Sequence, residues 1–520
     1  SSSPEGARDF IIPSRKHKGK FYALPQAPQQ FKQLLMASGF DKYFQLAPCF
    51  RDEDGRKERL VGEFYQLDME MAFADQEDVM AVAEEVYPAF FREFGKRKVT
   101  EGHFKRIPYN ESMLKYGTDK PDLRNPLEII DVSDVFKETS FRPFRDSIVR
   151  AIKVDDIASK PNSWFNEIVD YAKSIDMPGI GYISVMEDKS LKGPIDKFLT
   201  EDDRKALFDK AGLKIGSVLF FIADKRRDVV CKNAGLIRTE LGRKLDLMDN
   251  NLFEFCFVTD MPMYEISEIT GKLDFMHNPF SMPRGGMKAL ETMDPLDIYA
   301  DQFDVVCNGV ELVSGAVRNN RPEVLLKAFS LAGYTEEDIK KKFSALYTAF
   351  KYGCPPHAGM ALGIDRSLMM LGEEESVRET VAVPLNQNGE DVLTGTPNEV
   401  TEQQLRETHI KLRSGDFYKM QKITRDNIQD YALKLMFKMK EEEFPSFEKE
   451  FETILKHMDL ITEIDGIEKV EPMTFPFINE EAHLREDVAT STLTTDDAVK
   501  NASDTVYDEI KVPKVVGGES

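Results

Sequence analysis

Gly62-Glu-Phe-Tyr-Gln-Leu-Asp-Met-Glu-Met-Ala-Phe73 alternates apolar and polar side chains. Tyr65, Leu67, Met69, Met71 and Phe73 fall on one face, and Gln66, Asp68 and Glu70 on the other. A period of two marks a β-strand, here with a core face and a face that carries polar groups. Just upstream, Tyr43 to Arg51 reads as a second strand. Between the two lies a loop dense in charge: Asp52, Glu53, Asp54, then Arg56, Lys57, Glu58 and Arg59. If the strand is regular, Arg51 shares a face with Gln45 rather than with Phe44, Leu46 and Phe50. An arginine there could fork onto a phosphate. Taken alone, the loop also fits a solvated hairpin tip with surface ion pairs.

Two further constellations lie downstream. In Asp304-Val-Val-Cys-Asn308-Gly309-Val-Glu311, Asn-Gly between apolar alternators signals a two-residue type I′ hairpin. That turn sets Glu311 opposite Val306, on the same side as Asp304. Two carboxylates on one sheet face suit Mg²⁺ bound together with phosphate oxygens, or are simply a pair of exposed acids. Arg318 has the opposite parity and joins that face only if Ser314-Gly315 forms a bulge. In Gly359-Met-Ala-Leu-Gly363-Ile364-Asp365-Arg366, a strand, a glycine turn and a helix follow one another. Arg366 then lies in the first helical turn beside unbonded N–H groups, where phosphate binds well. A plain strand-to-helix connection reads the same way. His277-Asn278-Pro279-Phe280 and His357 are the remaining candidates.

The chain has 520 residues, enough for two to four domains at roughly 150 residues each. No apolar run approaches the roughly 18 residues of a membrane span. Ser1-Ser-Ser-Pro-Glu5 has neither a basic nor an apolar signal region. The five scattered cysteines fit a reducing cytosol better than a disulfide framework or a structural zinc site. We therefore expect a cytoplasmic protein without membrane contact. The net charge of −22 argues against a globally basic nucleic-acid binder, though not against a local basic face. Residues 420–520 hold 23 acidic and 12 basic side chains, half of the excess in a fifth of the length, which suggests a separate module. Gln29 to Ser38 and residues 78–94 read as helices. The texture changes near Asp119-Lys120-Pro121-Asp122, as at the start of an inserted domain, and strands and glycine turns return over 256–376.

Taken together and in order, these elements resemble motifs 2 and 3 of the class II aminoacyl-tRNA synthetases and the acidic strand between them. The closer similarity is to the bacterial aspartyl type. It is carried by Ser3-Pro-Glu-Gly-Ala-Arg-Asp-Phe10, Phe21-Tyr-Ala-Leu-Pro-Gln-Ala-Pro-Gln-Gln-Phe-Lys32, Cys49-Phe-Arg-Asp-Glu-Asp54, Gly62 to Asp68, Met276 to Phe280, and Pro355 through Arg366. The resemblance implies an α+β fold, an antiparallel sheet flanked by helices. The catalytic domain would occupy 1–117 and 256–415, interrupted by a GAD-like α/β insertion at 118–255. The family's anticodon-binding barrel and motif 1 have no counterpart in these 520 residues, so weak anticodon discrimination is expected of them.

By the same resemblance, Glu5, Gln29 and Asp68 would grip the ammonium group of aspartate. Lys32 and Arg318 would take its side-chain carboxylate, with His277 nearby. Some relatives carry two histidines where this chain has His277-Asn278, and Val313 and Ala316 also depart from some of them. Arg51 would bridge the α-phosphate of ATP and the aspartate carboxylate. Phe64 would stack on adenine, and Asp304 and Glu311 would hold Mg²⁺. Gly363, Ile364, Asp365 and Arg366 would border the ATP site, with Arg366 on the γ-phosphate. Glu53, Arg56, Lys57 and Arg59 would meet the tRNA acceptor end, Glu53 also bordering ATP.

A second resemblance covers 421–516: Ile423-Thr-Arg-Asp-Asn-Ile428, Val470-Glu-Pro-Met473, Leu484-Arg-Glu-Asp-Val488 and Val512-Pro-Lys-Val515 are similar to the C subunit of the tRNA-dependent amidotransferase. It implies a small helical module over Thr424–Ile464, an extended arm, and the amidotransferase A and B subunits as partners. The two resemblances imply an aspartate–tRNA ligase acting on tRNA-Asp, and on tRNA-Asn if non-discriminating, in a homodimeric full-length form. Two alternatives stand beside it: an aspartate-activating amide synthetase that uses ammonia, and a non-catalytic scaffold for the amidotransferase.

Overall fold

The computed structural model describes residues 8–412 except 54, 56, 268 and 269, and, further on, residues 425, 428–429, 440, 443–451, 454, 505–506 and 509–510. It falls into two units, 1–412 and 413–520.

The first unit opens with a two-stranded ribbon, β1 (Ile11–Pro13) and β2 (Phe21–Ala23), and a helix, α1 (Gln29–Ala37). β3 (Lys42–Arg51) and β4 (Gly62–Ala72) form the expected antiparallel pair. α2 (Gln76–Phe94) follows, started by a reciprocal capping box at Asp75 and Asp78. β5 (Lys105–Pro108), β6 (Phe255–Thr259), β7 (Gln302–Cys307), β8 (Val310–Val317) and β9 (His357–Gly363) complete a seven-stranded sheet in the order β3-β4-β9-β8-β7-β6-β5. All pairs are antiparallel except β5–β6. α3 (Ile364–Gly372) leaves β9 directly. The core of this layer joins α2, through Val79, Met80, Tyr87 and Phe91, to the inner face of the sheet.

One expectation holds only in part. On β4, Leu67, Met69 and Met71 pack against that core, but Tyr65 is 43% and Phe73 76% exposed. The polar face is the more deeply buried, with Asp68 at 1% and Glu70 at 0%. On β3, Phe44 and Leu46 are exposed while Ala47 and Cys49, on the face of Arg51, are buried. β3 is the outermost strand, and among the described residues no element covers its apolar side. Alternation gives the two faces of a strand; which one is inside depends on what the neighbouring elements cover.

Residues 129–224 build a second, five-stranded antiparallel sheet in the order Leu191–Lys192, Gly181–Val185, Val218–Asp224, Ile148–Val154, Ile129–Asp131. Apolar side chains fill both faces. Helices Asn162–Ser174 and Arg227–Lys244 cover one side, and helix Glu201–Ala211 with Phe136 and Phe144 covers the other. Arg238, 2% exposed, fastens the root of this sheet. Its Nε donates to the Leu127 carbonyl at 2.6 Å, its Nη2 to those of Asp122 and Asn125 at 3.0 and 2.6 Å, and it lies over the Tyr116 ring. Gly117 and Gly235 touch so closely that a Cβ on Gly117 would lie 2.5 Å from the Gly235 nitrogen. Arg238→Met leaves three carbonyls without that donor. At about 1 kcal/mol or more for each, we expect about 3 kcal/mol of lost stability, read as a lower thermal midpoint and earlier proteolysis between residues 118 and 255.

In the second unit, residues 444–451 are helical, Phe444 is buried beneath Arg425, and Ile428 is buried. The helical spacing of Phe447 and Ile454 predicts that both pack inside a helical hairpin, but they are 43% and 51% exposed. Most of the expected helical run and extended arm lies outside the described residues.

Candidate active site

One cleft of about 590 Å³ opens on the polar face of the sheet, bordered by β3, β4, β7, β8, β9, α1 and the segment Phe275–Pro279. It gathers Gln29, Lys32, Arg51, Glu53, Arg59, Phe64, Asp68, His277, Asp304, Glu311, Arg318, Gly363, Asp365 and Arg366 from six separate stretches of sequence. Ile364 is the first residue of α3, and Lys57 sits on the rim loop, its carbonyl accepting from Val377 N–H at 2.9 Å. Glu5 and Arg56 lie outside the described residues.

The type I′ turn forms as read: Asn308 and Gly309 have φ of 50° and 84°. Glu311 pairs with Val306. The bulge, however, falls at Leu312 rather than at Ser314-Gly315, because Val305 pairs with Val313 and Asp304 with Ser314. One extra residue is enough to bring Glu311, Ser314 and Arg318 to the face of Asp304.

At the floor of the cleft four buried charges interlock. Lys32 Nζ lies 2.9 Å from Asp68 Oδ1, 3.0 Å from Asp68 Oδ2 and 3.2 Å from Glu70 Oε2. Arg318 grips Glu70 with two bonds, Nε to Oε1 at 2.9 Å and Nη2 to Oε2 at 3.2 Å, and donates to the Gly359 carbonyl at 3.2 Å. Burial would raise the Glu70 carboxyl, but Arg318 and then Lys32 overcome it and hold it below its ordinary value. Asp68 goes the other way, pushed up to about 6, chiefly by burial, with Lys32 opposing. Gly359 is required for this arrangement, since a Cβ there would come 2.0 Å from Glu70 Oε2. Sequence reading assigned no role to Glu70, although its parity with Asp68 on β4 was the available signal.

Toward the mouth, the Arg51 guanidinium sits 4.9 Å over the Phe64 ring and donates to the Gln26 carbonyl at 3.3 Å. Arg366 donates to the Glu311 carbonyl at 2.8 Å, to Glu311 Oε1 at 3.3 Å and to the Glu58 carbonyl at 3.1 Å. Asp365 accepts from the Tyr65 N–H at 2.8 Å, so its carboxylate braces the start of α3 against β4. Arg59 pairs with Glu53 at 2.5 Å, so these two rim residues hold each other. Lys120, also missed from sequence, reaches Glu311 Oε2 at 3.4 Å from the root of the second sheet.

Besides Asp68 Oδ1, whose contact is the Lys32 ion pair, the cleft-lining atoms Gln29 Nε2, His277 Nε2 and Asp304 Oδ1 are buried and without a hydrogen-bond partner among the described residues. Buried polar groups are rarely left so, and each faces a space able to hold a ligand. Burial lowers the His277 imidazole and raises the Asp304 carboxyl well above the usual carboxylate range, Glu311 adding to the latter. Asn278 is a turn residue, its Oδ1 accepting from Phe280 N–H at 2.9 Å.

The geometry therefore offers a deep charge-lined floor, a carboxylate pair, an arginine over an aromatic ring and a second arginine held by Glu311. Comparisons with known proteins give the family. The family model for tRNA synthetases class II (D, K and N) matches residues 1–387, and that for the Glu-tRNAGln amidotransferase C subunit matches residues 439–512. An aspartate–tRNA ligase of Streptomyces coelicolor is 52% identical over 413 residues, 79% of this chain and 70% of that protein. An aspartate–tRNA(Asp/Asn) ligase of Rickettsia bellii is 53% identical over 421 residues, again 79% of this chain and 70% of its own length. The chain belongs to the class II tRNA synthetases, in the group of the aspartate–tRNA ligases, and carries a C-terminal amidotransferase C-subunit domain.

Proposed function

We propose that this chain activates aspartate with ATP to aspartyl-adenylate and transfers it to the 3′ end of tRNA-Asp and tRNA-Asn. The observation that carries this reading is the cleft floor, where Lys32 and Arg318 stand buried beside Asp68 and Glu70. Two cations meet the side-chain carboxylate of aspartate and Asp68 meets its ammonium. Asparagine would leave those cations poorly paired, which is a strong basis for selection. His277 and Gln29 supply the donors that the bound amino acid would satisfy.

Its α-carboxylate attacks the α-phosphate and pyrophosphate departs. That step needs positioning and charge compensation more than a protein base. Arg51, fixed over Phe64, bridges the two reacting groups, and Arg366 faces the departing phosphates, with Gly363, Ile364 and Asp365 shaping their seat. Asp304 and Glu311 fit a divalent cation, since Asp304 Oδ1 is buried, unpaired among the described residues, and set against a second carboxylate. They would hold Mg²⁺, which when bound neutralises phosphate charge. The rim loop with Glu53, Arg56, Lys57 and Arg59 meets the acceptor end.

The tRNA-Asn arm of the proposal rests on the C-terminal domain, which would bind amidotransferase A and B subunits and present them with Asp-tRNA-Asn at high local concentration. The proposal includes a homodimer, for which exposed Phe44 and Leu46 offer apolar surface, and a cytoplasmic setting; no described helix is long and apolar enough to cross a membrane. The test is aminoacylation of separate tRNA-Asp and tRNA-Asn transcripts by the full chain, with ammonia as competing acceptor. Aspartate should be esterified to both RNAs. Adenylate formation without transfer to either would instead support the ammonia-using synthetase.

The Asp68 carboxyl adds a pH signature. Protonated below about 6, it no longer offers charge to the ammonium of aspartate. The Michaelis constant for aspartate should therefore rise as pH falls through about 6, and approach tenfold per unit well below it. Asp68→Asn should bind weakly at all pH values and flatten that profile. A steep profile persisting in the variant would place the titrating group elsewhere.

A further inference from the structure

Outside the cleft, the strongest local departure from the acidic surface is the tip of the β1–β2 ribbon. Within a chain of net charge −22, residues 15–20 read Arg-Lys-His-Lys-Gly-Lys, and all six are exposed. The tip is built rather than loose. Ser14 N–H donates to the Lys20 carbonyl at 2.9 Å, Lys20 N–H to the His17 carbonyl at 3.1 Å and His17 N–H to Ser14 Oγ at 3.1 Å, with Gly19 at a φ of 72°. Of its cations, Arg15 is shared with Glu407 at 3.5 Å. Beside the lysines, Phe21 and Tyr22 are 51% and 56% exposed.

The ribbon's root fixes where this charge stands. Asp52 N–H donates to the Arg8 carbonyl at 3.1 Å, Phe50 N–H to that of Pro25 at 2.8 Å, and Arg51 Nε to that of Gln26 at 3.3 Å. The ribbon therefore rises from the same rim as the loop that begins at Asp52. Its paired arms alone extend about 10 Å from there. A polyanion whose end lies in the cleft has to cross this rim, and clustered lysines with exposed aromatics beside them are what a polynucleotide backbone meets well. A structured RNA presents phosphates and 2′-hydroxyls there rather than readable base edges, so the contact asks for charge and shape, not sequence.

We propose that the Arg15–Lys20 tip is a phosphate clamp for the acceptor stem of the RNA substrate, holding the stem while its 3′ end enters the cleft. The proposal rests on the tRNA-ligase reading above and adds a contact outside the catalytic cleft. The test compares the full chain with its Lys16→Ala/Lys18→Ala/Lys20→Ala variant. Each binds a tRNA-Asp transcript and a minihelix of its acceptor stem over a series of KCl concentrations. Aspartate-dependent ATP–pyrophosphate exchange is measured alongside.

Each lost phosphate contact removes about 0.7–0.9 from the slope of log K against log salt, so the slope should fall by about 2–3 on both RNAs. Exchange should stay at the parental rate, and the corresponding triple arginine variant should restore the slope. An unchanged slope with normal exchange would overturn the clamp and leave the ligase reading intact. A slope that falls for whole tRNA but not for the minihelix would also overturn it, because the contact would then lie off the acceptor stem. Absence of aspartate-dependent exchange in the parental chain would overturn the ligase reading itself.

Discussion

Arg51→Ala and Arg366→Ala should each slow aspartate-dependent ATP–pyrophosphate exchange by about a hundredfold to a thousandfold, the range for losing one preorganised donor at a centre of developing charge. Arg51 is held in place before any ligand arrives, by the Phe64 ring at 4.9 Å and the Gln26 carbonyl at 3.3 Å. Its contribution therefore needs no reorganisation at the moment of reaction. Arg366 is fixed by Glu311 and by the Glu58 carbonyl, so its loss also loosens one member of the carboxylate pair. We accordingly expect Arg366→Ala to weaken the response to Mg²⁺ as well as the rate, and Arg51→Ala to lower the rate alone. Parental exchange rates in both variants would refute the assignment of the cleft.

The second large effect concerns the floor. Lys32→Ala and Arg318→Ala should raise the Michaelis constant for aspartate by a hundredfold or more while leaving that for ATP within about threefold. Each also takes one of its two cations from Glu70, which is fully buried. Removing one partner of a buried ion pair costs about 3–5 kcal/mol, so lower thermal stability should accompany the kinetic change. The two consequences separate in Arg318→Met/Glu70→Met, which removes both charges. There stability should recover much of the loss, because an apolar pair of similar volume replaces a desolvated one, whereas aspartate affinity should not recover. Equal rises in both Michaelis constants would point to a folding defect, and recovery of aspartate affinity in the double variant would make Arg318 a structural residue only.

The sequence by itself determined the parts of this protein that depend on local chemistry. Asn308-Gly309 had to turn because both residues accept positive φ, and that set Glu311 opposite Val306. Gly363 before Ile364-Asp365-Arg366 ends a strand and begins a helix in one step. The period-two run from Gly62 named Asp68 and its neighbours as one face of a strand. The motifs were specific enough to announce the family, since their order along the chain is as informative as their content.

Tertiary structure decided everything that depends on what lies across from a residue. Strand alternation cannot say which face is inside, so the polar side of β4 became the deeper one and the apolar side of β3 was left exposed. A bulge moves every later side chain to the other face. The extra residue, at Leu312 rather than at Ser314-Gly315, turns Arg318 to the face of Glu70, 248 residues away in sequence. The role of Glu70 follows from the same fact: a carboxylate on a strand is ordinary until two cations, one from α1 and one just past the end of β8, are brought within 3.2 Å of it in a space that excludes water. Such long-range coincidences of burial and charge have no local signature, because the energy that fixes them is shared among residues that meet only after the sheet has closed.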